Sequence, residues 1–206
     1  AFGIQWLQGP NTVPLPPRLY DFALGVQKRD TVSDVFSYDV ATSVGVYSDF
    51  EDSARDGVRY ISHAVGMIHI NQATDVIFGV DYLDRDDIPL LPVVGLSWHD
   101  PAFASLRLDL VFPRPRIDYA LTSDSRLYLA GTLGGGSWDI EFPDETNNVA
   151  TIRDYRLVVG LEHADQDGSL SAWEAGYVSG RQLELRNGLP SVPFDDAFIV
   201  QFVWRH

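Results

Sequence analysis

Phe36-Ser37-Tyr38-Asp39-Val40-Ala41-Thr42-Ser43-Val44-Gly45-Val46 is the stretch that decides the fold. Phe36, Tyr38, Val40, Thr42, Val44 and Val46 alternate with the small or acidic Ser37, Asp39, Ala41, Ser43 and Gly45. A period of two belongs to a β-strand, whose successive side chains point to opposite faces. The same alternation recurs on both sides of this segment. It appears in Tyr20/Phe22/Leu24/Val26, Val76/Phe78/Val80/Tyr82, Leu106/Leu108/Leu110/Phe112 and Ile117/Tyr119/Leu121. Toward the C-terminus it returns in Tyr155/Leu157/Val159/Leu161, Trp173/Ala175/Tyr177 and Phe198/Val200/Phe202/Trp204. Helical periodicity is almost absent. Less regular runs near 2–8, 58–70, 91–98 and 126–133 bring the expectation to about twelve strands, spaced for antiparallel hairpins rather than βαβ crossovers. Segment 58–70 has no clean parity: His63 and His69 share a face with Val65 and Met67, while Ser62, Ala64 and Gly66 share the other with Ile68.

Composition limits what such a sheet can be. The chain has 206 residues, 45% of them hydrophobic, which is ample for one domain and argues against disorder. A net charge of -14, with Lys28 the only lysine, excludes nucleic-acid binding through a basic surface. Zero cysteines remove disulfides, thiol catalysis and cysteine-ligated metals. No apolar run approaches the ~20 residues of a transmembrane helix, so a bilayer could be spanned only by strands closed into a barrel. The start, Ala1-Phe2-Gly3, has neither an initiator methionine nor a leader pattern and is expected to be processed or trimmed, so export cannot be read from it.

Side-chain size separates the two faces. One is uniformly large. The other is small at its middle, with Gly25, Gly45, Gly79, Gly160, Gly176 and Gly180, and charged toward its ends. Water-facing strands of soluble proteins rarely favour glycine, whereas the concave interior of a closed barrel has room for little else and can pair charges of both signs. The expected fold is therefore all-β: a single closed antiparallel up-and-down transmembrane β-barrel of about twelve strands, over residues 1–206. A soluble β-sandwich or barrel is the alternative. The residues expected to line the lumen are Asp21, Asp39, Asp81, Arg107, Asp109, Asp118, Arg156, Glu162, Glu174 and Glu184. Tyr20, Phe36, Tyr82, Trp98, Phe112, Tyr155 and Trp204 suit interfacial girdles on the outward face. Short connections (Asp30 to Asp34, Asn71 to Thr74, Asp100 to Ser105, Ser123 to Ser125, Ala164 to Ser169) alternate with mostly longer ones. The longest of these is expected from Gly134 to Asp154, and acidic clusters fall in the long connections.

On these residues the chain resembles a bacterial outer-membrane β-barrel family of unknown function. The resemblance runs from Pro17-Arg18-Leu19-Tyr20 through Asp81-Tyr82-Leu83-Asp84-Arg85-Asp86-Asp87 and Leu108-Asp109-Leu110-Val111-Phe112-Pro113 to Glu174-Ala175-Gly176-Tyr177 and Arg181. It implies an outer-membrane location and supplies no active site. One departure is the end, Trp204-Arg205-His206, where outer-membrane proteins usually finish on an aromatic residue.

Candidates for chemistry are sparse. His63 and His69 lie about 20 Å apart along one strand, too far to share a metal ion. Ser97-Trp98-His99-Asp100, with His163, is the nearest approach to a lipase constellation, and no nucleophile-elbow motif accompanies it. No catalytic residue, cofactor or metal site is expected. The leading functional expectation is a passive or weakly cation-selective pore, or a structural barrel, whose partners are outer-membrane lipid and small solutes or cations. A soluble small-ligand-binding module and an outer-membrane lipid-modifying enzyme are the alternatives.

Overall fold

The computed structural model describes residues 2–6, 15–51, 54–142, 144, 146–165, 168–186 and 191–205, with only the backbone of 2–6 and Arg205. The chain is all-β, with thirteen strands among the described residues joined in one sheet: β1 (Phe2–Trp6), β2 (Arg18–Ser33), β3 (Phe36–Ser48), β4 (Val58–His69), β5 (Thr74–Tyr82), β6 (Leu90–Trp98), β7 (Leu106–Phe112), β8 (Arg116–Ala120), β9 (Ser125–Glu141), β10 (Asn147–Ala164), β11 (Leu170–Leu185), the two-residue β12 (Val192–Pro193) and β13 (Ala197–Arg205). Consecutive strands pair antiparallel from β1 to β12, and β13 pairs β11 below β12.

The deciding stretch is β3. Its register settles the face of β4 that the sequence left open, because Ser37 lies opposite Met67 and Asp39 opposite Val65. His63, Val65, Met67 and His69 therefore share the face of Ser37 and Asp39, and His63 and His69 lie opposite Asp81 and Asp75 of β5. Large apolar side chains stand on the other face and are open to the surroundings. Leu24 is 82% exposed, Leu157 55% and Trp173 63%. Asp39, Asp81 and Asp118, on the inner face, are buried.

The sheet closes on itself between β3 and β9 through a parallel bridge, Ser48 to Asp139, which makes a ring of seven strands, β3 to β9. Asp49 N–H adds a 3.1 Å bond to the Asp139 carbonyl. The expectation of a connection over Gly134 to Asp154 is corrected here, since β9 runs to Glu141 and β10 starts at Asn147. Three successive glycines and a run of acids imitate a loop. They are instead the tall ends of a hairpin, kinked at Gly135 (φ 98°), where a side chain would strike the Ile152 carbonyl. Beyond that kink Trp138 and Ile140 join Leu19 of β2, Ala150 and Ile152 of β10, and Leu183 and Leu185 of β11 in a buried apolar cluster, with Tyr47 of β3 packed against it. Hence β2, β3, β9, β10 and β11, taller than β5 to β8, draw together at the long-loop end.

On its other side β2 is partnered, among the described residues, only over Arg18–Phe22, and from Leu24 to Ser33 both of its faces are exposed. Lys28, Arg29 and Asp30 place charge on that bare edge, a common guard against strand addition.

Trp138 is 2% exposed, so Trp138→Ala should cost about 3–5 kcal/mol in urea unfolding. Leu157→Ala, at an outward position, should cost far less in detergent.

Candidate functional site: the polar interior

The inner face carries a belt of charged and polar side chains around the wall. Asp39 of β3 accepts from Gln27 (2.8 Å) and Arg29 of β2 and pairs with His63 of β4 at 3.1 Å. Asp81 of β5 meets Arg114, from the β7–β8 turn, at 2.9 Å. Asp109 of β7 pairs with Arg107 at 2.8 Å and accepts from Ser97 of β6. Arg116 of β8 reaches both Asp118 (2.6 Å) and Glu162 of β10 (3.2 Å), with its guanidinium 3.8 Å from the centre of the Tyr128 ring. The Tyr128 hydroxyl donates to Glu174 of β11, which also accepts from Gln201 of β13. Tyr128 covers Gly160, where any Cβ would overlap the ring, so this inward glycine is a requirement of the aromatic beside it. Arg156 pairs with Asp154 at 2.7 Å. Most inward carboxylates thus face a guanidinium, the arrangement in which buried charge is tolerated.

Nine of the ten expected lumen residues take places on this inner face. Asp21 lies opposite Tyr47 in the β2–β3 register. Glu184 departs. Between Arg153 and Tyr155 the β10–β11 register shifts, Gly180 takes φ 59°, and the parity of β11 inverts above that point. Leu183 and Leu185 then turn into the apolar cluster, and Glu184 lies with Asp86, Thr151 and Arg186 around a cavity. A one-residue slip is enough to move every later side chain to the other face.

At the long-loop end Arg85 is buried, pairs bidentately with Asp87 (2.9 and 2.8 Å) and donates to the carbonyls of Gly134 (2.9 Å) and Ile152 (3.2 Å). This guanidinium pins the β5–β6 connection onto the kinked hairpin. Nearby, Arg186 bonds Asp86 at 2.8 and 3.0 Å, which holds the Asp86 carboxyl below the usual carboxylate range. Of the acidic clusters expected in loops, Asp139 is buried within β9 and accepts from the Asp56 N–H at 3.1 Å. Asp52 and Glu145 lie outside the described residues. Among the described residues no group of three acidic or histidine side chains is placed to hold a metal ion.

The sequence-level lipase constellation does not assemble. Ser97 turns inward to Asp109, whereas Asp100 caps the short 3₁₀ turn Pro101–Phe103 through the Ala102 N–H. His163 instead meets Ser125 at 3.0 Å. A set that sequence reasoning missed lies across β3, β4 and β5. His69 Nε2 is 3.0 Å from Ser37 Oγ, and its Nδ1 is 2.7 Å from Asp75 Oδ1. The missing signal was the parity of segment 58–70; His69 faces Ser37 only once the register is known. No protein-family model, curated protein or solved structure matches the chain.

Arg85→Met should destabilise the fold by about 3–5 kcal/mol, because it leaves the Asp87 carboxylate buried and unpaired. The Arg85→Met/Asp87→Leu double variant should recover much of that loss in the same urea titration. Asp86 has a depressed folded-state value, so its stabilisation is present at neutral pH and lost as pH falls through that value. Asp86→Asn should cost less than about 1 kcal/mol at pH 7, given the exposure of the pair, and the difference should vanish in acid.

Proposed function

We propose that the chain is a β-barrel of the bacterial outer membrane whose interior is closed by its own ion pairs: a structural barrel rather than a wide pore. The observation that carries this reading is the outward face. Leu24, Leu110, Leu157, Val159, Trp173 and Phe202 are all about half exposed or more, on strands from opposite ends of the sheet. An apolar surface of this extent is costly in water and matched to acyl chains. Tyr82, Phe112, Tyr155 and Trp204 supply exposed aromatics of the kind found at membrane interfaces. The resemblance to an outer-membrane family, drawn from strand and turn residues, points the same way.

In this reading the bilayer wall has twelve strands, with β12 a two-residue addition to β11. Following the antiparallel order, β1 and β13 run in opposite directions, so the two ends of the sheet have the right polarity to meet. β3 and β9, six strands apart, then stand on opposite walls, and their bridge pinches the mouth at the long-loop end. Glu174 and Asp75 carry neutral or histidine partners rather than arginines, which leaves the interior weakly favourable to cations wherever water enters.

Purification without detergent and planar-bilayer recording test the reading together. The purified chain should remain dispersed only in detergent or lipid, and bilayers containing it should give no large, steady conductance steps. Solubility in plain buffer would refute the membrane assignment, and porin-sized steps would refute the closed interior.

A further inference from the structure

We propose that Ser37, His69 and Asp75 form a nucleophilic centre that hydrolyses small carboxylic esters inside the barrel. The geometry is a complete relay. Asp75 accepts from Nδ1–H of His69 at 2.7 Å, which fixes the tautomer and leaves the Nε2 lone pair facing Ser37 Oγ at 3.0 Å. The sheet holds all three: His69 and Asp75 are directly opposed in the β4–β5 register, and Ser37 is opposed to Met67, two residues before His69. Asp75 also differs from the carboxylates that serve only as ion pairs. Asp39, Asp81, Asp109, Asp118 and Asp154 each meet an arginine, whereas among the described residues Asp75 meets only His69.

A second serine–histidine–aspartate set lacks these features. His163 lies 3.8 Å from Asp165, beyond hydrogen-bond distance, and the two side chains are about half exposed. By contrast the His69 and Asp75 side chains are 30% and 16% exposed. Ser37 itself is only 6% exposed, which keeps its hydroxyl out of bulk solvent.

In the reaction His69 Nε2 takes the Ser37 proton while Oγ bonds the carbonyl carbon. The ester C–O bond then breaks as His69 returns the proton to the departing alcohol. Water, deprotonated by His69, attacks the acyl-serine, and the acid leaves with Ser37 reprotonated. Ester and water give acid and alcohol with no other reactant. Asp75 is a positioning residue throughout.

Diisopropyl fluorophosphate, incubated with the folded protein in detergent and followed by peptide mass mapping, tests the centre directly. One phosphoryl adduct on Ser37 is expected, with fluoride released, and none on the urea-unfolded chain. His69→Ala should slow labelling at least ~100-fold, with partial rescue by added imidazole, and Asp75→Asn should lower kcat for p-nitrophenyl acetate about 100-fold or more with KM little changed. No adduct, an adduct on another residue, or equal labelling of the unfolded chain would overturn the proposal and leave the trio a polar contact of the wall. Labelling reads the folded interior alone, so it can succeed or fail independently of the detergent requirement on which the membrane reading stands.

Discussion

A wall that turns its large side chains outward must settle the charges it holds on the inside, and the carboxylates buried there need partners. That constraint organises this protein. Asp39 is answered by Arg29 of β2 and Asp81 by Arg114 of the β7–β8 turn, Asp109 and Asp118 by arginines two residues away on their own strands, and Arg116 also reaches Glu162 of β10. Where partners lie on different strands, as in Asp39 with Arg29 and His63 or Glu162 with Arg116, the pairs also fix which strands stand together, and a register slip would leave those carboxylates without them.

The same constraint explains why the two ends differ. At the short-turn end the interior combines paired charges with one small apolar cluster of Tyr128, Val158 and Ala172. At the long-loop end β9, β10 and β11 outrun their neighbours, and extra height without charge partners is used to bury Trp138, Ile140, Ile152 and Leu183 against β2 and β3. Arg85 joins these two regimes, since it satisfies Asp87 and the backbone of the kinked hairpin at once. Closure through β3 and β9 follows from the kink at Gly135, a position where only a residue without a side chain fits.

The alternation of β3 and its counterparts was legible in the sequence because period two needs no knowledge of neighbours. What depended on neighbours was not. The face of β4 is set by its pairing to Ser37 and Asp39, so the meeting of Ser37, His69 and Asp75 had no local signature. Glu184 was misplaced by a single bulge at the β10–β11 step. The hairpin tip was misread because glycines and acids that suit a loop equally suit a strand bent across a mouth, with Asp139 buried by contacts to residues more than eighty positions away.

The absence of native cysteine permits single-cysteine spin labels along β10, one at each position from Tyr155 to Glu162 except Gly160, in protein reconstituted into lipid vesicles. Accessibility to oxygen, which concentrates in acyl chains, should alternate. Labels at 155, 157, 159 and 161 should be reached readily, and those at 156, 158 and 162 should be shielded. A uniform response, or one in which a water-soluble nickel quencher reaches the outward positions best, would contradict the account.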